Sequence, residues 1–383
     1  MDNSSNIQIK KIAMLVSCAS VLQIVESMFP HPIPGVRLGF SNIITLIALV
    51  DMGFGPALEI AVIRAIISSY VLGTFLSPSF FLSFFGALTS TLVMGACYKV
   101  VLKLKTKFLS LTGISLLGAV THNLTQIIFV YFFLINQKEI FYLLPWLGLS
   151  AVIMGWINGL IASRVCKNLA DNIGIEATLK EEIANSNSFK YKSYIGGDSF
   201  IHDLKPEIKI VIAFFAGICI LFTGNIYLYL FLLFFLFAGY VIAELSLVDY
   251  IKEISKMWLF LAASFLLPVF FNFTQDGLSA GTRFVLRIIL LMSISSLLIK
   301  TTAPEKLAAG FKNILSPFQR LGISAHCAQR VGAIIALSWK SMPAVWDKIN
   351  NLIHSQKVSL KRFPEIIQGL STVIFLVYKE SEK

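Results

Sequence analysis

Long apolar windows dominate this sequence and restrict what it can fold into. They carry few or no charged side chains, in a chain that is 56% hydrophobic and only 14% charged. A window of roughly 18 to 24 apolar residues is long enough to cross about 30 Å of hydrocarbon as a helix. None of the windows alternates with period two, so helices are favoured over a β-barrel. The sequence therefore predicts an all-α, polytopic helical membrane protein.

The apolar windows fall into two groups with a polar stretch between them. The first group predicts a six-helix bundle with spans at residues 12–29, 38–50, 56–76, 80–98, 113–135 and 140–163. The second group predicts four spans at residues 208–223, 226–243, 257–272 and 284–299. The stretch between Arg164 and Pro206 is rich in charged residues, Asn, Ser and Gly, which is typical of a cytoplasmic linker. We therefore divide the chain into domains at 1–167 and 204–383, joined by a linker at 168–203.

The first apolar window could also be read as a signal peptide, because it follows Lys10 and Lys11. It is longer than a usual signal-peptide core, it carries Glu26 near its far end, and no small-residue cleavage site follows it. We interpret it as a membrane anchor that stays in the protein.

The distribution of charge predicts the orientation in the membrane. Lys and Arg number 32 against 21 Asp and Glu, a formal net charge of +11. With the N-terminus inside, the cytoplasmic side receives most of the basic residues, namely Lys99, Lys103, Lys105, Lys107, Arg164, Lys167, Lys252, Lys256, Lys300 and nearly all those after it. The outer loops keep little beyond Arg37, Lys138 and Arg283. This asymmetry follows the positive-inside rule, so it predicts a cell-membrane protein with both termini cytoplasmic and requires no nucleic acid partner.

The chain after Lys300 reads as amphipathic helices and not as further spans. Apolar residues recur at helical spacing in three stretches, with basic residues between them. The stretches carry Leu307, Phe311, Leu315 and Phe318; Val331, Ile335, Met342, Val345, Ile349 and Leu352; and, from Ser359 on, Phe363, Ile366, Ile367, Leu370 and Val373. Pro343 is expected to kink the second helix. Such helices either lie in the membrane interface or dock a cytoplasmic partner.

The sequence lacks the motifs of the enzymes that a membrane chain of this kind could resemble. It has no GxxxxGK[ST] loop for ATP, no aspartate-rich pair for a magnesium diphosphate, and neither HExxH nor GxSxG. The five cysteines are scattered without a CxxC pair, so neither a metal site nor a structural disulfide is expected. We therefore expect a protein that is not an enzyme and binds no cofactor directly.

Polar side chains within the six predicted spans are the candidates for binding a ligand. A charge at the bilayer centre costs about 2.5 to 3.5 kcal/mol on insertion scales, so such residues usually face a bundle interior or a cavity. The candidates for substrate binding are Glu26, Arg37, Asn42, Arg64, His122, Asn123 and Asn158. Other interpretations stay open: Arg64 and Glu59 pair with polar neighbours, His122 is a satisfied core residue, and Arg37 reaches the outer headgroups.

The segment "IPGVRLGFSNIITLIAL", after a first span that ends in "FPHPIPG", resembles the Gx transporter family. This family is also described as heptaprenyl diphosphate synthase component I, and the resemblance covers residues 10 to about 167. The family is similar to the six-helix substrate-capture (S) component of energy-coupling-factor transporters. The resemblance implies that the first domain captures a small molecule.

Residues 204–383 resemble the transmembrane (T) component of the same transporters, the CbiQ/EcfT type. In "LKPEIKIVI", Pro206 and Lys209 match the family's opening motif, whereas Lys205 stands where an aspartate is usual. The segment "TTAPEKLAAGFKNILSPFQRLGIS" matches at Thr301, Thr302, Pro304, Leu307, Gly310, Leu315, Pro317 and Gly322. The order of the two resemblances, capture unit and then coupling unit, makes functional sense.

The resemblance implies a mechanism and a set of partners. The capture component topples in the membrane to release its substrate inward, and long cytoplasmic helices of the T component transmit movement from a separate pair of P-loop ATPases. ATP is then expected on those partners and not on this chain. The first helix would face the coupling unit through Ala13 and Ser17, whose small-xxx-small spacing permits close approach of two helices.

One departure from the family concerns the contact with the ATPases. Coupling helices of this family end in an Ala-Arg-Gly or Ala-Arg-Ser triplet, and this chain has "HSQKVS" at 354–359 instead. Gln356, Lys357 and Val358 are the nearest substitutes, although Lys does not reproduce the planar fork of Arg. Either the coupling has diverged, or this half does not bind an ATPase.

We therefore expect a fused capture and coupling subunit of an importer for a small anionic molecule, either vitamin- or cofactor-like or related to isoprenoids. Arg37, in the glycine-flanked stretch "GVRLG", is the residue expected to contact the anionic part of the substrate at the outer mouth of the bundle. Two alternatives remain. The chain could be an accessory membrane subunit of a prenyl diphosphate synthase, with a separate catalytic subunit as its partner, or a membrane scaffold that has lost its ATPases.

Overall fold

The computed structural model describes residues 3–28, 39–104, 109–135, 138–170, 194–255, 257–271, 275–317, 325–355 and 363–381. Within these ranges the chain forms helices joined by short connections, and no β-strand is present there. Six described helices are long and apolar enough to cross a membrane: Asn6–Met28, Phe54–Val71, Pro78–Leu104, Leu111–Leu134, Lys138–Ala170 and Gln275–Thr301. The prediction of an all-α, multi-pass membrane protein is confirmed.

The first half of the described chain, residues 3–170, is a bundle of six helices. They are α1 (Asn3–Met28), α2 (Asn42–Asp51), α3 (Phe54–Val71), α4 (Pro78–Leu104), α5 (Leu111–Phe129) and α6 (Leu144–Ala170). A π-helical segment, Val130–Ile135, continues α5, and a 3₁₀ segment, Lys138–Leu143, leads into α6. The span expected at 38–50 is shorter as a helix, because α2 has 10 residues and rises only about 15 Å.

Helices α5 and α6 approach each other closely because glycines on α6 carry no side chain. A Cβ atom on Gly155 would lie 2.7 Å from the Cα of Leu116, and one on Gly159 would lie 2.6 Å from the Cα of Thr112. Small residues four positions apart allow backbones to pack at this separation in membrane helices. The spacing places Asn158, which neighbours Gly159, in the interior of the bundle, where it is 2% exposed.

The second half, residues 194–381, begins with a short helix and ends with three helices of the predicted amphipathic tail. Its helices are α7 (Phe200–Asp203), α8 (Pro206–Phe222), α9 (Ile226–Ile242), α10 (Leu247–Ser255), α11 (Trp258–Phe271), α12 (Gln275–Thr301), α13 (Pro304–Leu315), α14 (Ala325–Ser355) and α15 (Phe363–Glu380). Of the four spans expected here, α12 has 27 residues, α8 and α9 have 17 each and α11 has 14. A 17-residue helix rises about 26 Å, at the lower limit for crossing the hydrocarbon core.

The apolar stripe predicted on the tail is buried, and its partner is the first half. Ile335, Met342, Val345 and Ile349 of α14 are at most 1% exposed. Helix α14 continues through Pro343 and packs along α1. The sequence offered the membrane interface or a cytoplasmic partner for this face, and the structure instead covers it with a helix of the same chain.

The residues just before α8 fold back onto the end of α12. The backbone N–H of Ile195 donates to the carbonyl of Lys300 at 3.0 Å. The Lys209 ammonium, 8% exposed, donates to the carbonyl oxygens of Thr301 at 2.8 Å and His202 at 3.2 Å. The last part of the expected linker is therefore packed against the second half, while residues 171–193 lie outside the described ranges.

Candidate functional site

Arg64 is the centre of a buried polar cluster in the first half. Its side chain projects from α3 into the bundle and is 1% exposed. The guanidinium donates to Gln23 Oε1 at 2.9 Å, to Asn42 Oδ1 at 2.6 Å and to Ser41 Oγ. A buried charge is tolerated when hydrogen bonds replace its water, and here three neighbouring side chains do so.

Gln23 was not among the residues singled out from the sequence, yet it links three helices. It accepts from Arg64 of α3, and its Nε2 donates to Ser83 Oγ of α4 at 3.0 Å. Its side chain is 1% exposed. An amide in an apolar helix one turn before Glu26 was the only available signal. Gln23 fixes the direction in which Arg64 points.

Glu26 and Asn158 hold the backbone at Gly39, where the described chain resumes after residues 29–38. The Glu26 carboxylate accepts from the backbone N–H of Gly39 at 2.7 Å and of Phe40 at 3.1 Å. Asn158 Nδ2 of α6 donates to the carbonyl of Gly39 at 3.1 Å. Gly39 has φ +88°, a left-handed conformation that glycine adopts without a steric cost. Glu26 and Asn158 therefore fix the position of the backbone that leads into α2.

Asn158 also has an oxygen that the described bundle does not use. Its Nδ2 must face Gly39, because the Gly39 carbonyl oxygen can only accept a hydrogen bond and only the nitrogen of the Asn158 side chain can donate one. The Oδ1 atom is then directed elsewhere, and it is buried without a hydrogen-bond partner among the described residues. Buried acceptors are usually paired, so this atom is a candidate contact for a bound molecule.

The other two candidates on α5 belong to separate contacts. His122 Nε2 lies 3.1 Å from Gln126 Nε2, and the imidazole packs against Gly86 of α4, where a Cβ would come within 2.8 Å of the ring. Asn123 Nδ2 donates to the carbonyl of Leu147 at 2.8 Å and to Ser150 Oγ at 3.2 Å, both on α6.

The structure thus brings together four of the seven predicted binding residues. Glu26, Asn42, Arg64 and Asn158 belong to one network, connected where the Gly39 carbonyl accepts from the backbone N–H of Asn42 at 3.0 Å. His122 contacts Gln126, and Asn123 donates to Leu147 and Ser150, outside this network. Arg37, Gln356, Lys357 and Val358 lie outside the described residues. Among the residues that the structure describes, no group of His, Cys, Asp or Glu could hold a metal ion.

A second polar contact joins α1 to α14 through serines. Ser17 Oγ donates to the carbonyl of Ser338 at 2.9 Å and lies 2.7 Å from Ser341 Oγ. In return, Ser338 Oγ donates to the carbonyl of Ala13 at 3.0 Å. The small side chains of Ala13 and Ser17 thus lie directly against α14, where hydroxyl groups replace the usual apolar packing.

The N-terminal part of α1 and the C-terminal end of α2 contact α15. Lys11 Nζ lies 3.1 Å from Asp51 Oδ2 and 4.3 Å from the centre of the Tyr378 ring. The Tyr378 hydroxyl donates to the same Asp51 carboxylate. The last described helix of the chain is therefore fixed to the first half as well.

The end of α3 and the loop after it pack where α12 meets α13. The Tyr70 hydroxyl donates to the carbonyl of Thr302, and the carbonyl of Gly73 accepts from Ser295 Oγ at 3.2 Å. The rings of Phe75 and Phe311 lie 6.2 Å apart, edge to face. The "TTAPEKL" segment that carried the sequence resemblance thus contacts the first half at Thr302.

Helix α12 meets one end of the first-half bundle at two well separated heights. Because α3, α4 and α5 are successive packed neighbours, the C-terminal ends of α3 and α5 lie at the same end of the bundle. The α5 end contacts Arg287, and Tyr70 at the α3 end lies 3.4 Å from the carbonyl of Ile299. Arg287 and Ile299 are about 18 Å apart along α12. The bundle axis therefore runs across α12 and not alongside it.

Two family models match separate parts of the chain. A family described as heptaprenyl diphosphate synthase component I matches residues 15–165. A second family, described as cobalt transport protein, matches residues 197–378.

Curated relatives match part of the chain. The energy-coupling factor transporter transmembrane protein EcfT of Streptococcus thermophilus is 31% identical over 200 residues, covering 47% of this chain and 73% of the relative. The proteins of the same name from Thermosediminibacter oceani and Acidaminococcus fermentans are 29% and 24% identical, over 43% of this chain and 65% and 64% of their own lengths. The chain thus spans about two thirds of the length of these relatives.

Proposed function

The chain belongs to the family of energy-coupling factor transporter transmembrane proteins, and from this premise we propose that it is a fused substrate-binding and coupling subunit of an importer. It is a multi-pass membrane protein of a transport family and not an enzyme. On this proposal the first half captures the substrate, and the second half couples it to ATP hydrolysis on a separate pair of P-loop ATPases. Both termini are cytoplasmic.

The observation that carries the proposal is the orientation of the first-half bundle across α12. A bundle standing upright beside a membrane-spanning helix would bring its two ends to opposite ends of that helix. Here a single end of the bundle contacts α12 over about 18 Å of its length, from Arg287 to Ile299. This geometry supports a capture unit that lies over in the membrane, as expected for inward release.

Movement would be transmitted through α14. The ATPases would bind the cytoplasmic helices, with Gln356, Lys357 and Val358 between α14 and α15 in their docking surface. Because α1 packs on α14 through Ser17 and Ser338, a displacement of α14 acts directly on the first half. Packed interfaces pass on discrete shifts because they are not continuously deformable.

We assign substrate binding to the buried cluster and to the segment before it. Arg37 and Arg64 supply positive charge for a small anionic molecule, and Asn42 orients the Arg64 guanidinium. Glu26 and Asn158 position Gly39, and the Oδ1 of Asn158, which has no hydrogen-bond partner among the described residues, accepts a hydrogen bond from the substrate. His122 and Asn123 would contribute from α5. The substrate would be vitamin- or cofactor-like, or related to isoprenoids.

A second candidate function follows from the match of residues 15–165 to heptaprenyl diphosphate synthase component I. On this alternative, the chain is an accessory membrane subunit of a prenyl diphosphate synthase, and a soluble catalytic subunit binds its cytoplasmic side. The scaffold alternative, a chain without ATPases, rests on the absence of the Ala-Arg-Gly and Ala-Arg-Ser triplets from the sequence.

The test is purification of the full chain from native membranes in mild detergent, with identification of proteins present in near-stoichiometric amounts. Two P-loop ATPases would support the importer, and the variant Lys357→Glu should lose them whereas Lys205→Glu, outside the proposed docking surface, should keep them. A soluble prenyl synthase subunit without ATPases would overturn the importer in favour of the accessory subunit. No partner at all would favour the scaffold.

A further inference from the structure

Arg287 of α12 makes hydrogen bonds to both halves of the chain. Its Nη1 donates to the carbonyls of Phe133 and Leu134, the latter at 3.2 Å, in the π-helical segment of the first half. Its Nη2 donates to the carbonyl of Thr223 at 3.0 Å, and its Nε donates to the Tyr229 hydroxyl at 3.1 Å, both in the second half. One guanidinium therefore uses all three of its nitrogens across the boundary.

The carbonyl groups that Arg287 contacts are those that helices leave unsatisfied. Phe133 and Leu134 lie in the last turn of the π-helical segment, and Thr223 is the residue that caps the C-terminus of α8. The last carbonyls of a helix lack partners within the helix and carry its partial negative charge. In hydrocarbon no water is present to bind them, so a cation with a planar array of donors stabilises both helix ends together.

We infer that Arg287 is a latch that holds the first half in its lying orientation. When the two halves separate at this point, the guanidinium loses Phe133 and Leu134 but keeps Thr223 and Tyr229. The second half therefore keeps the Arg287 side chain in position to bind Phe133 and Leu134 again. The edge-to-face contact between Phe133 and Phe222, with ring centres 5.2 Å apart, forms and breaks together with the Arg287 hydrogen bonds.

The latch lies far along α12 from Tyr70, a first-half residue that also packs on the coupling helix α14. The rings of Tyr70 and Trp339 of α14 lie edge to face, with their centres 5.6 Å apart. Tyr70 meets α12 near Ile299, about 18 Å from Arg287. Helix α14 also binds α1 through the hydrogen bond from Ser17 to the carbonyl of Ser338, which we call the coupling contact. Opening at Arg287 can therefore occur while the coupling contact stays closed, so that the bundle turns about α1. The role in reorientation rests on the proposed function, whereas the strength of the latch itself does not.

The test measures distances between the halves in the full-length chain, reconstituted in lipid nanodiscs and doubly spin-labelled after replacement of the native cysteines. An outer pair at Phe132 and Tyr227 reports on the latch, because both side chains are exposed, at 66% and 79%. An inner pair at Ile7 of α1 and Lys340 of α14 reports on the coupling contact, and both residues are exposed there. Neither substrate nor ATPases are needed.

Arg287→Gln should raise the fraction of longer distances in the outer pair by about tenfold and leave the inner pair unchanged. Arg287→Lys, which keeps the charge but not the fork, should give a smaller rise. The matched control is Arg283→Gln, because Arg283 lies one turn earlier on α12 and makes no hydrogen bond within the part of the chain that the structure describes. It should change neither pair.

An unchanged outer distribution in Arg287→Gln, or an equal change in Arg283→Gln, would overturn the inference. Tyr229→Phe offers a milder variant if Arg287→Gln does not fold. It removes the hydroxyl that accepts the Nε bond and donates to the Thr223 carbonyl, and it keeps the other hydrogen bonds of Arg287. It should raise the longer-distance fraction by about threefold, and no rise would count against the latch. If the chain copurifies with no ATPases but the outer pair responds as expected, the latch stands and the importer fails.

Discussion

Arg330 of α14 donates from Nε and Nη2 to the same carboxylate oxygen of Glu59 on α3, at 3.2 and 3.1 Å. The two residues are 271 positions apart in the chain. Arg330 Nη1 also donates to Gln8 Oε1 of α1 at 3.2 Å, so a single side chain of the second half contacts two helices of the first. The hydrogen bonds of Arg330 therefore place α14 against both α1 and α3.

The Glu59–Arg330 pair should contribute a modest coupling energy. The two side chains are 33% and 24% exposed, so water screens the pair and we expect about 0.5 kcal/mol from a double-mutant cycle with Glu59→Gln and Arg330→Gln. The exchange of charges, Glu59→Arg with Arg330→Glu, should recover most of the stability lost by either change alone. The measurement is the free energy of unfolding of the full chain in detergent. A coupling energy of zero would mean that the pair does not hold the halves together.

The size of the side chain at Ser17 should decide whether α1 and α14 stay packed. Ser17→Ala loses hydrogen bonds and should cost about 1 kcal/mol. Ser17→Phe overfills the contact at an expected cost of about 1 to 3 kcal/mol, which corresponds to roughly 5- to 150-fold faster amide exchange along α14. Hydrogen–deuterium exchange followed by mass spectrometry measures both variants. Equal protection of α14 in Ser17→Phe and the wild type would show that the helices do not pack there in the membrane.

Gly39→Ala should destabilise the first half by more than Gly53→Ala. Both glycines have φ +88°, so each substitution carries a backbone cost of about 1 kcal/mol. A Cβ at Gly39 would also lie 2.9 Å from Asn42 Nδ2, whereas nothing lies within 4 Å at Gly53. Thermal unfolding of the two variants should therefore separate the backbone cost from the contact with the polar cluster. Identical unfolding temperatures would mean that Asn42 moves aside freely.

Lys209→Met should loosen the end of α12. The ammonium donates to the carbonyls of Thr301 and His202, and bonds from a charged donor are worth about 1.5 to 3 kcal/mol each. The control is Lys205→Met, since Lys205 is exposed and lies at the start of α8, the helix that carries Lys209. Limited proteolysis should cut Lys209→Met after residue 193 faster than the control. If both variants are cut at the wild-type rate, the Lys209 ammonium is not what holds the residues before α8 against the end of α12.

Arg37→Ala should weaken binding of an anionic substrate without affecting the fold. The measurement is a thermal-shift screen of the full chain with anionic vitamins, cofactors and isoprenyl diphosphates. Loss of a charge-assisted hydrogen bond should weaken the affinity of a hit by about tenfold or more. Lys138→Ala removes another cation expected on the outer side and should leave the shift intact. A normal shift in Arg37→Ala would favour the interpretation in which Arg37 reaches the lipid headgroups.

Hydrophobicity predicted the helices well because it is a local property. The windows at 56–76 and 284–299 correspond to α3 and α12, and the stripe at Ile335 and Met342 is buried as its spacing indicated. The sequence did not identify the partner of that stripe. Periodicity shows which face of a helix is buried, but not which surface covers it.

The polar cluster was predicted in part, for the same reason. An intramembrane charge such as Arg64 stands out against an apolar background, whereas Gln23 does not, although it orients the guanidinium. Glu59 was grouped with the polar residues of the bundle, and its observed partner, Arg330, lies in the other half. Pairings across such a distance in the chain depend on the tertiary fold, and no local pattern encodes them.

The bond between Ile195 and Lys300 shortens the tether that joins the two halves. Residues 171–193 join the end of α6 at Ala170 to Tyr194, the first described residue of the second half. Fully extended, such a stretch reaches at most about 80 Å. Even if every contact between the halves were broken, each would remain within a small volume around the other, at an effective concentration on the order of millimolar. Another copy of the first half in the same membrane would have to reach that local concentration to take its place.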